Sequence, residues 1–281
     1  MRQGSGISSA ALGIGRRGLS TVAGSIGRGG MDIPVRRSRG MAGMSVPTNG
    51  MVLWCMASPN GTAQTTNGPT SAIAVWRDFS GKQNHMKQST AAKRPSVNIN
   101  AQNGKNSITL AEAEFLICDS ASAFDFGTGT FDIYMIFDYP AGTGSKAFYA
   151  NAGTFSATGF QFFRLPNETI KGRTYNGSAK QTAATANLAA KGYVFTRFHR
   201  ASDDATSVVY DCIDGTAGTK AISGGSDQDV SGGAFSIGAF NGGASGAGMH
   251  CAEILAYNRD LSDAESANVK SYLSNKYGLG L

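Results

Sequence analysis

Residues 248–281 read GMHCAEILAYNRDLSDAESANVKSYLSNKYGLGL, and two periods meet in them. In the first part Cys251, Glu253, Leu255 and Tyr257 alternate with Ala252, Ile254 and Ala256. So few charges over that run suit a strand covered on at least one face and partly on the other. In the second part Ser262 and Glu265 stand at the S-x-x-E spacing of a capping box, where each side chain satisfies an otherwise unpaired backbone N–H. Val269, Leu273 and Lys276, with Tyr272 beside them, recur at helical spacing, and Gly278 is placed to end a helix in a left-handed turn. The stretch predicts a strand feeding a short amphipathic C-terminal helix.

Upstream, the period is that of strands. Thr130–Tyr139 alternates Phe131, Ile133, Met135 and Phe137 with Asp132, Tyr134, Ile136 and Asp138. Met51–Ala57, Ala72–Trp76, Phe160–Leu165, Glu168–Thr174, Tyr193–Arg200 and Thr206–Ile213 follow the spacing of a sandwich. Phe195-Thr196-Arg197-Phe198-His199-Arg200 is expected to show one aromatic face and one solvated cationic face. Residues 238–248, nearly all Gly, Ala, Asn and Ser, read as a loop that allows another backbone to come close. Asp78, Ser80 and Asn84 fit either a sugar- or calcium-binding loop or a turn whose side chains bond the local backbone; the turn is the simpler reading.

These stretches carry a family resemblance. E-I-L-A-Y-N-R-D-L-S-x-x-E followed by Y-L-x-x-K-Y-G resembles the closing segment of concanavalin A-like lectin/glucanase domains of the LamG type. Val52-Leu53-Trp54, then Trp76-Arg77-Asp78-Phe79-Ser80-Gly81 and Asn84, is similar to the opening of such domains. Val208-Val209-Tyr210 with Asp214-Gly215 resembles their late hairpin. The chain departs from the pattern after Trp54, where relatives often carry an aspartate and this chain has Cys55 and Met56. The resemblance implies an all-β, antiparallel jelly-roll β-sandwich over residues 45–281. It implies function less sharply, because this sandwich hosts lectins, hydrolases, adhesion modules and virion proteins.

Charge divides the chain. Residues 1–44 hold Arg2, Arg16, Arg17, Arg28, Arg36, Arg37 and Arg39, no lysine and one acid, Asp32; that accounts for the formal net charge of +6, and residues 45–281 are neutral. Eleven glycines fall within residues 1–43, too many for an autonomous helix or strand. Residues 1–44 are therefore expected to be an extended basic arm, with Arg16, Arg17, Arg28, Arg36, Arg37 and Arg39 as its partner-binding groups.

The search for chemistry excludes most classes. No run of about 18 apolar residues is present, so no membrane partner is expected, and nothing resembles a secretory signal. Cys55, Cys118, Cys212 and Cys251 are widely spaced, and His85, His199 and His250 are scattered, which argues for free thiols and against zinc. Glu112 and Glu114 lack the intervening aspartate of a sandwich glucanase, and no nucleotide or metalloprotease motif occurs. The expectation is a protein with no enzymatic activity, no cofactor, no metal and no nucleic-acid partner. Domains with this resemblance occur in phage particles, so the leading reading is a capsid decoration or cement protein of a virion, assembled in the host cytoplasm. Its arm would hold other virion proteins and its sandwich would meet cell-surface glycans. The alternative is a carbohydrate-binding adhesin or tail-fibre receptor-binding module. A homo-oligomer is compatible with either.

Overall fold

A computed structural model describes residues 46–57, 63–65, 72–118, 120–142, 144–177, 179–181, 191–200, 208–213, 219–220 and 229–281. The basic arm and the Asp214-Gly215 turn lie outside the described residues. The strands run β1 Met51–Met56, β2 Ala63–Thr65, β3 Ile73–Trp76, β4 Met86–Lys87, β5 Ser96–Gln102, β6 Lys105–Leu110, β7 Leu116–Cys118, β8 Phe131–Asp138 and β9 Lys146–Ala150. They continue as β10 Gly159–Arg164, β11 Ile170–Tyr175, β12 Ala179–Gln181, β13 Val194–Arg200, β14 Val208–Ile213, β15 Thr219–Lys220, β16 Ser236–Ile237 and β17 Met249–Tyr257, before one helix, α1 Asp263–Tyr277.

Two antiparallel sheets form an all-β sandwich. One follows the order β15-β14-β13-β8-β17-β6-β5, with β1 also on β17; the other follows β12-β11-β10-β9-β16-β7-β4-β3-β2. The alternation in β8 decides how they stack. Phe131, Ile133, Met135 and Phe137 enter the core between the sheets, where they meet Phe148, Phe160 and Phe162. Tyr134 and Ile136 turn the other way, into a second core under α1 with Leu255, Tyr257, Val269 and Leu273. Every residue of β8 from Phe131 to Phe137 is buried, so both faces are covered, and the charged Asp132 among them is paired with Arg197.

The helix ends as its sequence predicts. Ser262 and Glu265 form the capping box, and Gly278 adopts the left-handed conformation with φ 65°, which a residue bearing Cβ rarely adopts. Val269, Tyr272, Leu273 and Tyr277 are buried against the sheet.

Two expectations are corrected. The simple alternation in β17 breaks at a bulge: Cys251 pairs with Phe137 and Glu253 with Ile136, leaving Ala252 unpaired between them. Cys251 thus faces the inter-sheet core while Ala252, Leu255 and Tyr257 join the second core under α1, and Glu253 bonds to side chains of that helix. The cations of β13 are also not solvated and lie on both of its faces. Arg197 is 9% exposed, His199 8% and Arg200 1%. Each is drawn in by a partner far along the chain: Arg197 by Asp132, His199 by Asp260, and Arg200 by the carbonyls of Gly127 and Gly129. Cys55, Cys118 and Cys251 are buried free thiols, and burial is the main cause holding Cys55 and Cys251 well above the usual thiol pKa.

Candidate functional site

Directly opposed residues of an antiparallel pair share a face, so one row can be traced across the nine-stranded sheet. Val75 lies opposite Lys87, Lys87 opposite Ile117, and Ile117 opposite Ser236. Ser236 lies opposite Ala150, Ala150 opposite Gln161, and Gln161 opposite Arg173. Their neighbours Met86, Leu116, Ile237, Tyr149 and Phe162 belong to the inter-sheet core, which puts the row on the outer face.

The middle of this face is roofed by the chain itself. Phe240 packs with Ala147 and Ala150, and Phe155 lies edge-on to it at 4.5 Å. Asn151 sets the loop that brings Phe155 there: its buried amide donates to the Phe124 and Val230 carbonyls and accepts from the Phe160 N–H. The small residues of 238–248 have the purpose their composition predicts. A Cβ on Gly246 would stand 2.2 Å from the Glu112 carbonyl oxygen.

Either side of the roof the face opens differently. Over β3, β4 and β7 lies a cleft of ≈ 420 Å³ lined by Ala74, Val75, Lys87, Gln88, Ser89, Arg94 and Ile117. Its polar rim is held in place: Arg94 donates to the Gln88 and Ser89 carbonyls at 2.9 and 3.1 Å, and Gln88 donates to the Phe115 carbonyl at 3.0 Å. Over β10 and β11 the guanidinium of Arg173 rests against three rings, 5.6 Å from the centroid of Phe155, 5.1 Å from Phe163 and 5.8 Å from Tyr175. Gln161 accepts from its Nε at 3.2 Å and from its Nη2 at 2.5 Å, and the Phe155 carbonyl also accepts from Nη2. Burial, the largest influence, lowers the Arg173 pKa from its usual value. The sequence reading passed over both places, since the residues that form them are spread over several strands and loops.

In the Asp78 loop the carboxylate meets backbone and hydroxyl donors of the chain. Asp78 Oδ1 accepts from the backbone N–H of Trp54 and Ser80, and Oδ2 from Ser80 Oγ and the Asn84 N–H. The Asn84 side chain donates to the Val52 carbonyl at 2.7 Å. Both carboxylate oxygens thus accept bonds from the chain, and the one from the Trp54 N–H ties β1 to the chain after β3. Glu112 and Glu114 are on the surface side of the fold, paired with Lys146 and the Ala111 N–H. Arg16, Arg17, Arg28, Arg36, Arg37 and Arg39 lie outside the described residues.

One cluster escaped the sequence reading because its members are more than 60 residues apart. Asp132, His199 and Asp260 bring ligand atoms within 4.8 Å of one another. Arg197 sits among them, bonded to both oxygens of Asp132 at 2.9 and 2.7 Å and to Asp260 at 3.1 Å. Its guanidinium already supplies the positive charge that a metal ion would bring. Burial raises the Asp132 pKa despite this pairing, and the pairing holds Arg197 as a cation against the cost of its own burial.

No protein-family model and no curated protein matches the chain. Solved structures match its fold. A Trypanosoma rangeli sialidase in complex with sialic acid superposes with a TM-score of 0.51 at 16% identity, covering 83% of this chain and 34% of that one. The same sialidase with 2,3-difluorosialic acid, a covalent intermediate, gives 0.50 at 16% identity over 86% of this chain and 35% of that one. The binding domain of Paraclostridial Mosquitocidal Protein 1 gives 0.53 at 14% identity over 79% and 51%. The chain therefore spans about a third of the length of the sialidases and about half of that binding domain. At such identities the likeness is one of fold, a β-sandwich shared with sialidases and a toxin's binding domain. It overturns one expectation: the sialidases are enzymes, so the reading of the chain as having no enzymatic role is withdrawn.

Proposed function

We propose that the sandwich is a lectin-like, carbohydrate-binding module that takes its ligand on the outer face of the nine-stranded sheet. The observation that carries this reading is the ≈ 420 Å³ cleft, in which Ala74, Val75 and Ile117 offer apolar surface beside Lys87, Gln88, Ser89 and Arg94. A sugar ring needs that combination: C–H surface to lie on apolar groups, and hydroxyls to exchange hydrogen bonds with fixed polar ones. The sialic acid held by one structural neighbour and the binding role of another agree with it. The test is a glycan array with the full chain, followed by titration of the best binder. Ala74→Trp, which fills the cleft from its wall, is expected to abolish binding and leave the melting temperature unchanged. Binding that survives Ala74→Trp places the site elsewhere, and an array with no binder removes the reading.

A virion location for this module is a proposal drawn from the basic arm and the sequence resemblance, and none of the neighbours named above is a virion protein. Mass spectrometry of purified particles tests it.

A further inference from the structure

We infer that Arg173 is a carboxylate clamp, so that the outer face selects acidic sugars, those carrying a carboxylate, over neutral ones. This rests on the carbohydrate-binding reading and adds to the cleft a second contact on the same face, across the roofed middle, that sets the ligand class. Three observations converge. First, the guanidinium has donors to spare. Its Nε and Nη2 are engaged by Gln161 and the Phe155 carbonyl, while among the described residues Nη1 has no partner. Second, no carboxylate among the described residues neutralises it. Arg164, Arg197 and Arg259, by contrast, pair with Glu168, with Asp132 and Asp260, and with Glu265. Among the described residues Arg173 has neutral acceptors and rings around it. Third, it is held ready. Gln161 is fully buried and donates to the Thr154 and Phe155 carbonyls, so the residue that orients the guanidinium is itself fixed.

A partly desolvated cation among rings attracts an anion more strongly than one in water, because the local dielectric is lower. The fork geometry of guanidinium suits the two oxygens of a carboxylate. Lys171, two residues along β11, projects from the same face and adds positive charge. Tyr175, also on this face, lies with its ring under the guanidinium, 5.8 Å to the centroid.

The experiment uses the full chain and three probe sets in isothermal titration: sialyllactose and trigalacturonic acid, the same two oligosaccharides with their carboxylates reduced to alcohols, and a sulfated disaccharide. The expected result is that carboxyl reduction weakens binding at least tenfold. Arg173→Gln should lose that discrimination while keeping the wild-type melting temperature. Arg173→Lys, which keeps the charge without the fork, should fall between. Equal binding of carboxylated and reduced probes, or Arg173→Gln binding acidic probes as the parent does, overturns the clamp and leaves the cleft reading standing. Preference for the sulfated probe with indifference to carboxylates also overturns it. A parent chain that binds neither neutral nor acidic sugar overturns both readings together.

Discussion

Glu253 shows how a single residue fastens one layer of this protein to another. Its carboxylate is fully buried, yet Oε1 accepts from Trp54 Nε1 at 2.6 Å and Tyr272 Oη at 3.0 Å. Oε2 accepts from Lys276 Nζ at 2.6 Å and Tyr277 Oη at 2.8 Å. A buried charge is tolerated only when it is this fully met, and removing one member leaves the others stranded. Glu253→Gln is accordingly expected to cost about 3 kcal/mol in urea melts, the loss that follows breaking a buried ion pair. A cost below about 0.5 kcal/mol, that of an ordinary surface change, would mean that the carboxylate does not hold α1. Nothing near Glu253 in the sequence announces this role. Two of its four donors, Trp54 and Lys276, lie 199 and 23 residues away, and only the bulge at Ala252 turns the side chain toward α1. The same limit hid Arg173, whose rings come from a loop, a neighbouring strand and its own strand. It also gave β13 a solvated face that is in fact buried, since Asp132 and Asp260 reach it from 65 and 61 residues away.

Local rules were legible where the chain satisfies itself within a few residues. The caps of α1 are written three residues apart, and the alternation of β8 is written two apart, so both could be read without a fold. Whether the second face of β8 was covered could not, because that depends on where α1 docks. Leu273 is fully buried in that docking, and Leu273→Ala is expected to destabilise by about 2–4 kcal/mol in urea unfolding. The first turn of α1 also has a pH signature. The Arg259 side chain bonds both oxygens of Glu265 at 2.8 and 2.6 Å, and the Ser262 N–H adds a third bond. The Arg259 bonds, and then the Ser262 N–H, lower the Glu265 carboxyl from 4.5 to about 2. For a depressed carboxyl the contribution to stability is complete above the unfolded value, here 4.5, and is lost as pH falls through about 2. Carboxyl ¹³C shifts should place the Glu265 midpoint near 2 in the parent and closer to 4.5 in Arg259→Gln. Midpoints that coincide would show that the pair does not form in solution.

At the scale of the whole chain, fold and charge are carried by different residues. Among the described residues the apolar clusters run from Val46 onward, while the entire formal net charge of +6 resides in residues 1–44. Residues 1–44 carry eleven glycines and no aromatic side chain, too few large apolar groups for a core to depend on them. A 45–281 chain should therefore fold, with a melting temperature within about 2 °C of the full chain, the shift expected of surface changes in a domain of this size. Its binding should separate the two sources of attraction for acidic ligands. Charges in water act over a Debye length of about 8 Å at 0.15 M salt, so the pull of seven solvated arginines on polyanions would fade as salt rises. A guanidinium held among rings is screened much less. Titrated with trigalacturonic acid at 0.15 M salt, the 45–281 chain should keep the parent affinity within about threefold, while its retention on a polyanion column at low salt collapses. Loss of the sugar affinity along with the column retention would move acidic-sugar recognition from Arg173 to the arm.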